Sequence, residues 1–150
     1  MSTSRHRSLT VGADEHRVWS TLAAFGDIGS WAANVDHSSI IEQSDTGRPD
    51  ARRIQIGRQT IVERVITWEP PARLGYRLEG LPARLGTITN EWTLTAVGQE
   101  TEVTVTTTVD AGSRPPARLV EKAVSRKIAS ESETLLAGLA EACTQTGGSR

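Results

Sequence analysis

The fold of this chain is decided by its last long segment, residues 115–144, which reads PPARLVEKAVSRKIASESETLLAGLAEACT. At 1.5 Å per residue, a helix of this length would span roughly 40 Å and cross the whole domain. Ser113 as a cap, Pro115-Pro116 as a first turn and Gly147-Gly148 as an end are typical helix boundaries. Because one face is apolar, we expect a sheet to cover it. That face consists of Val120, Val124, Ile128, Leu135 and Leu139, widened by Leu119, Leu136 and Ala142.

Length and composition predict one ordinary globular domain. The chain has 150 residues, of which 37% are hydrophobic and 23% charged, and its net charge is -1. This balance argues against a nucleic-acid partner. No apolar run approaches the ~18 residues of a membrane span, and the first residues lack a signal-peptide core. We therefore expect a cytoplasmic protein without stable membrane insertion, with one domain over residues 5–146 and flexible ends at 1–4 and 147–150.

The periodicity changes from helical to alternating in the middle of the chain. A first strand at 7–11 precedes a helix that starts near Asp14 and a shorter helix over 27–32. Six strands separated by turn residues should follow, at 35–44, 51–56, 59–68, 73–79, 86–97 and 100–110. Strands between an early helix and a long late helix are an α+β pattern.

Short loops fix which residues of neighbouring strands oppose one another. Two-residue loops at 57–58 and 98–99 and a four-residue turn at 69–72 set three hairpin registers, with Trp68 facing away at the sheet edge. A looser turn at 45–50 would set Ile41 against Ile54 and bring His37 to the same face. The expected pairs are Arg52 with Glu63, Ile54 with Ile61, Val65 with Tyr76, Thr67 with Leu74, Asn90 with Thr107 and Trp92 with Val105.

This register puts polar side chains on a face that is otherwise apolar. Burying such groups without partners costs on the order of 1–3 kcal/mol each. Glu131 and Ser132 interrupt the helix stripe in the same way. We therefore expect sheet and helix to enclose a pocket with polar anchors on apolar walls. Its predicted lining is Trp31, His37, Arg52, Ile54, Ile61, Glu63, Val65, Tyr76, Asn90, Trp92, Val105, Thr107 and Ser132, with Thr67 on the same face.

Each polar residue on the sheet also has a structural interpretation. Arg52 and Glu63 would form a cross-strand ion pair at the sheet rim. Asn90 and Thr107 would bond one another. Tyr76 would pack its ring inward with its hydroxyl at a rim. In this interpretation the polar set needs no ligand.

The remaining candidates have equally simple interpretations. Ser132 would bond a carbonyl of its own helix, and His37 would lie at the surface. Trp31 and Trp92 would be ordinary core residues rather than a pocket wall and its mouth. Cys143 is expected to be a small buried thiol rather than a nucleophile.

The familiar catalytic and metal-binding motifs are missing from the sequence. His6, His16 and His37 do not have a metal-ligand spacing, so we expect no metal site. There is no phosphate-binding glycine loop and no nucleophile elbow. An enzyme on this chain would have to use general acid and base chemistry on an apolar substrate, without a cofactor.

Several short motifs give the chain a family resemblance over about residues 9–139. They are Val18-Trp19 in the first helix, the run 25–31 after it, Glu63-Arg64-Val65, Trp68-Glu69-Pro70-Pro71, Leu74 with Tyr76, and the Pro-Pro start of the last helix. In their order and spacing the chain resembles the START-related (SRPBCC) superfamily, in particular its polyketide cyclase/dehydrase branch. The resemblance implies a helix-grip fold, in which a seven-stranded antiparallel sheet wraps around the C-terminal helix and a hydrophobic cavity, with two short helices after the first strand. It transfers no catalytic residue to this chain.

Three functions remain open at this point. The first is binding of a small hydrophobic, partly oxygenated molecule of polyketide, lipid or isoprenoid type. The second is a polyketide cyclase or dehydratase, with Tyr76 or His37 as acid, Glu63 as base and Arg52 polarising a carbonyl. The third is a non-catalytic regulator. The protein is expected to be a monomer or homodimer.

Overall fold

The alternating segments form one antiparallel sheet that curves around the long helix, and the computed structural model describes residues 2–112 and 117–145. The sheet order is β1-β7-β6-β5-β4-β3-β2. The strands are β1 Thr3–Val11, β2 His37–Gln43, β3 Pro49–Ile56, β4 Gln59–Glu69, β5 Arg73–Glu79, β6 Thr87–Val97 and β7 Glu100–Asp110. The helices are α1 Glu15–Ala23 and α2 Ala117–Gln145, with short 3₁₀ helices at Phe25–Ser30 and Ala83–Leu85. The predicted helix-grip fold is confirmed.

The element boundaries agree with the predicted ones to within a few residues, except at the start of the chain. β1 begins at Thr3, four residues before the predicted start at Arg7, and pairs with β7 along its whole length. The helix 27–32 is a 3₁₀ helix that begins at Phe25. The expected cap Ser113, the Pro115-Pro116 turn and the Gly147-Gly148 end lie outside the described residues.

The early helices close one end of the sheet. The Asp14 side chain accepts a hydrogen bond of 2.9 Å from the Arg17 amide, which starts α1. Ser38 of β2 then ties the first 3₁₀ helix to the sheet, because its hydroxyl donates to the Gly26 carbonyl and accepts from the Gly29 amide. A Cβ on Gly29 would lie 2.9 Å from the Ser38 hydroxyl, so a larger residue there would have to displace this hydroxyl from its two hydrogen bonds.

The two halves of α2 are buried in different ways. The second half packs Leu135, Leu136, Leu139 and Cys143 into the apolar core. In the first half the most buried positions are Ala117, Glu121, Ser125 and Ala129, while Leu119, expected in the apolar stripe, is 73% exposed. That expectation is wrong because this half of the helix lies on the polar side chains of β1.

Two polar contacts join the first half of α2 to β1. The Glu121 carboxylate accepts hydrogen bonds from the Thr3 hydroxyl at 3.1 Å and from the Ala111 amide at 3.0 Å. The Ser125 hydroxyl accepts one from Arg5 Nε at 2.9 Å. These partners satisfy Glu121 and Ser125, which are both almost fully buried.

The registers set by the two-residue loops are confirmed. Arg52 pairs with Glu63 and Ile54 with Ile61 across β3 and β4. Asn90 with Thr107 and Trp92 with Val105 pair across β6 and β7. The turn at 69–72 also sets Val65 against Tyr76, as predicted.

Beyond that pair, a β-bulge between Val65 and Thr67 shifts the register of β4. Thr67 pairs with Gly75 rather than Leu74, so it lies on the outer face of the sheet, and the prediction for Thr67 is wrong. Trp68 turns inward instead of capping the sheet edge. Its ring makes an edge contact of 5.2 Å with Trp19, a contact that the loop length alone does not reveal.

Within residues 2–112 and 117–145, no helix is both long enough and apolar enough to cross a membrane. The same residues bring together no group of three His, Cys, Asp or Glu side chains that could hold a metal ion.

Candidate functional site

A cavity of about 370 Å³ separates the inner face of the sheet from the first half of α2. The helix contacts β1 and β7 most, and the cavity lies between its middle part and the inner residues of β3 to β6. Most of the lining is apolar, with contributions from Ile28, Val35, Ile54, Ile56, Ile61, Leu78, Leu81, Leu85, Ile88, Val124, Ile128 and Leu135. The volume is within the usual range for small-molecule sites.

Exposed lining residues mark the opening of the cavity. Gln59 and Lys127 are exposed, and Asn34 and Glu131 are half-buried. The Asn34 side-chain amide points its N–H at Glu131 Oε1 across 3.4 Å, while its own oxygen is buried without a partner in the described part of the chain. The mouth therefore carries charges of both signs.

The inner end of the cavity contains a buried ion pair. Glu63 Oε1 accepts hydrogen bonds from Arg52 Nε at 2.7 Å and lies 2.6 Å from Arg52 Nη2. Arg52 Nη1 donates to the Phe25 carbonyl at 2.9 Å, and the guanidinium stacks 3.8 Å from the centre of the Phe25 ring. The pair is buried in the interior rather than at the sheet rim. Glu63 lines the cavity, and Arg52 lies behind the cavity wall.

A second polar cluster surrounds Tyr76, whose side chain is fully buried. Its hydroxyl accepts a hydrogen bond from Trp92 Nε1 at 3.1 Å, and Asn90 lies opposite Tyr76 on the neighbouring strand β6. The Asn90 side-chain oxygen in turn accepts from the Thr107 hydroxyl at 2.6 Å. Burial, with a smaller effect of the Glu63 charge, raises the pKa of Tyr76 to about 12. Tyr76 therefore stays protonated at any physiological pH.

Ser132 on α2 is satisfied within its own helix, since its hydroxyl donates to the Ile128 carbonyl at 3.0 Å. The structural interpretation of Ser132 is thus the one observed. The same is true of the Asn90 and Thr107 pair. Most of the polar residues on the inner face bond one another, and few of their groups remain open to the cavity.

Apart from His37, the predicted lining residues fall into three groups. Ile54, Ile61, Glu63, Tyr76, Asn90 and Ser132 line the cavity. Arg52, Trp92, Val105 and Thr107 are buried on the same inner face but lie behind the cavity wall. Val65 and Trp31 pack against the core, and Trp31 meets Trp92 edge to face at 6.2 Å instead of closing the mouth.

The expected position of His37 on the inner face is wrong. His37 pairs with Gln55 and is exposed on the outer face, while Ser38 and Ile40 point inward opposite Ile54 and Arg52. The turn at 45–50 is too long to fix a register, and β2 also shifts its pairing around Glu42. Ser38 faces inward, where its hydroxyl bonds Gly26 and Gly29 of the first 3₁₀ helix.

Some lining residues were missed although the sequence contained a signal for them. Leu78 and Ile88 lie on the inner face that the hairpin registers define, and Val124 and Ile128 belong to the predicted helix stripe. Ile28, Asn34 and Val35 lie outside the strands, and Leu81 and Leu85 lie in the loop around the second 3₁₀ helix. Neither hydrophobic periodicity nor strand register predicts the position of loop residues such as these.

Comparison with known proteins decides the family. A family model described as polyketide cyclase / dehydrase and lipid transport matches residues 3–144. The chain belongs to this family. No curated protein sequence matches it.

Several solved structures share the fold of this chain. A START superfamily protein from Mycobacterium smegmatis is 16% identical, with a TM-score of 0.75 over 95% of this chain and 98% of that one. The Zhui aromatase/cyclase from Streptomyces sp. R1128 is 14% identical, with a TM-score of 0.78 over 95% and 94%. The di-domain ARO/CYC StfQ of the steffimycin pathway is 14% identical, with a TM-score of 0.76 over 100% of this chain and 53% of that one. At such identities the likeness shows the fold alone.

Proposed function

We propose that this protein binds a small hydrophobic, partly oxygenated molecule of polyketide, lipid or isoprenoid type between its sheet and α2. The observation that carries the proposal is the cavity of about 370 Å³ with predominantly apolar walls. Each Å² of apolar ligand surface removed from water there contributes roughly 25 cal/mol to binding. The description of the family, which names polyketide cyclisation or dehydration and lipid transport, supports the same class of molecule.

The state of the polar residues favours binding over cyclisation or dehydration. A general base has to be positioned against the proton that it removes, whereas Arg52 fixes the Glu63 carboxylate in a buried pair through Oε1. Tyr76, with its pKa raised to about 12, is a weak acid, and His37 lies on the outer face. Retained turnover of a poly-ketone substrate by Glu63→Gln and Tyr76→Phe would exclude these roles, and its loss in both folded variants would favour the enzyme.

The exposed apolar residues give little support to a regulator that docks on another protein. In the described part of the chain, large exposed apolar side chains occur singly on five different elements. They are Leu9 on β1, Ile41 on β2, Ile66 on β4, Val97 on β6 and Leu119 on α2. Single exposed apolar residues are normal on soluble proteins, whereas docking sites are contiguous patches.

Native mass spectrometry of the purified protein, beside the same sample after denaturation, tests the proposal. We expect a small molecule carried from the host to appear as extra mass on the folded protein and to be released on unfolding. Its fragmentation would give its chemical class. An empty protein whose melting temperature is unmoved by polyketide, lipid and isoprenoid probes would contradict the proposal.

A further inference from the structure

We infer that Glu63 makes the cavity selective for ligands that bring a hydroxyl group, rather than a carbonyl group, to its inner end. This inference rests on the proposed function and names the chemistry of the ligand that the same site would take. It reverses the role that the sequence suggests for this corner, in which Arg52 would polarise a ligand carbonyl.

The two oxygens of Glu63 have different surroundings. Oε1 receives both contacts from Arg52, at 2.7 Å from Nε and 2.6 Å from Nη2. Oε2 accepts no hydrogen bond from residues 2–112 or 117–145, and it is not among the buried unpartnered atoms there, which are Trp31 Nε1 and Asn34 Oδ1. Since Glu63 lines the cavity, its free oxygen opens onto the ligand space.

Arg52 offers nothing to a ligand. Its guanidinium lies between the Phe25 and Tyr76 rings, 3.8 Å and 4.9 Å from their centres. Nε and Nη2 contact Glu63, and Nη1 donates to the Phe25 carbonyl. Arg52 is 3% exposed and lies outside the cavity lining. The inner end therefore presents a carboxylate oxygen without a cation beside it on the ligand side.

Three neighbouring donors that a ligand carbonyl could use are already committed. The Ser132 hydroxyl donates to the Ile128 carbonyl, and the Thr107 hydroxyl donates to Asn90. The Trp92 indole N–H donates to Tyr76. A carbonyl placed against Glu63 Oε2 would meet another acceptor, and both oxygens would lose their hydrogen bonds to water. A hydroxyl in the same place would donate a charge-assisted bond.

Tetralol and tetralone test this difference, because they are the alcohol and the ketone of one bicyclic skeleton. By calorimetric titration we expect the wild-type protein to bind tetralol about ten- to a hundred-fold more tightly, the range that an unpaired buried acceptor implies. In Glu63→Gln the side-chain amide offers both a donor and an acceptor, so the ratio of the two affinities should fall to roughly one. Glu91→Gln, the same substitution at a glutamate that pairs with Arg73 on the outer face of the sheet, is the control and should keep the wild-type ratio.

Each outcome decides the inference. Equal wild-type affinities for the two probes would overturn it and leave the proposed function standing, whereas absence of binding of either probe would count against both. A preference for tetralol that survives in Glu63→Gln would show that another group selects the hydroxyl. If Glu63→Gln does not fold because Arg52 loses its partner, the double variant Arg52→Met, Glu63→Gln removes that charge and gives the same readout.

Discussion

Arg52 and Glu63 oppose one another across β3 and β4, and the Glu63 oxygen that Arg52 contacts lies 2.7 Å from Nε and 2.6 Å from Nη2 in the protein interior. Both side chains are almost fully buried. Taking two charges out of water is unfavourable unless each has a partner of opposite charge. The stability of the fold therefore depends on the ion pair rather than on either residue alone.

Removal of one partner should therefore be more destabilising than removal of both. Arg52→Met leaves a buried carboxylate without its cation, and we expect it to lower the free energy of unfolding by about 3–5 kcal/mol. The double variant Arg52→Met, Glu63→Leu should recover a large part of that loss. Urea denaturation of the wild type, both single variants and the double variant measures the coupling. Additive effects of the single variants would contradict a coupled pair.

Tyr76 provides a direct spectroscopic test, because it is the single tyrosine of the chain. Its pKa is raised from 10.0 to about 12, chiefly by burial. The unfolded chain should lose the phenolic proton near pH 10, while the folded protein keeps it to about pH 12. Phenolate absorbance recorded together with circular dichroism should therefore not rise while the protein remains folded at pH 10 to 11. A midpoint near 10 in the folded protein would refute the burial of this hydroxyl.

The same shift makes stability depend on pH in a defined direction. Below pH 10 both states hold the proton, so the contribution of Tyr76 is fully present. Between about pH 10 and 12 the unfolded state has lost the proton and the folded state has not. The free energy of unfolding should then fall by about 1.4 kcal/mol for each pH unit. In Tyr76→Phe this component of the alkaline loss should disappear, which urea denaturation at several pH values would detect.

Glu121 and Glu133 provide a matched comparison on one helix. Glu121 is buried and accepts bonds from Thr3 and the Ala111 amide, whereas Glu133 forms a surface ion pair with Arg7 and is 61% exposed. We expect Glu121→Ala to destabilise the protein by about 1–3 kcal/mol, because two half-buried donors lose their acceptor. Glu133→Ala should change stability by less than about 1 kcal/mol. Equal effects in thermal or urea unfolding would show that Glu121 does not anchor α2 to β1.

At Gly138, α2 packs closely on the backbone of Trp31, which precedes β2. A Cβ at this position would overlap the carbonyl oxygen of Trp31. Despite the higher helix propensity of alanine, Gly138→Ala should destabilise the fold by roughly 1–3 kcal/mol through overpacking. Gly12→Ala is the control, since its Cβ would meet Thr144 Cγ2 at an ordinary 3.7 Å. A stabilised Gly138→Ala variant would mean that the helix sits further from Trp31.

The sequence predicted the parts of the sheet in which local geometry dictates long-range pairing. A two-residue loop leaves one register, so the loops at 57–58 and 98–99 were sufficient to pair Arg52 with Glu63 and Asn90 with Thr107. The register shows which residues face one another but not how their side chains are oriented. It therefore cannot tell whether those residues hydrogen-bond one another or a ligand. This is why the polar face could be found while its roles stayed open.

The errors arose where tertiary packing overrides local pattern. The bulge before Thr67 turns Trp68 onto Trp19, a contact between residues far apart in sequence. His37 was misplaced because the turn at 45–50 does not fix the register of β2. Glu121 could not be recognised as buried, because its partner Thr3 lies 118 positions away at the start of β1.

The central claim is that the space between sheet and α2 holds the ligand, and a calorimetric titration of two tryptophan variants with tetralol tests it most directly. Val124 lines the cavity, while the preceding Ala123 is exposed on the same helix. Val124→Trp should fill the cavity and weaken binding at least about ten-fold, the effect of losing roughly 1.4 kcal/mol of contact. Ala123→Trp should bind like the wild type. Undiminished binding by a folded Val124→Trp variant would contradict the account.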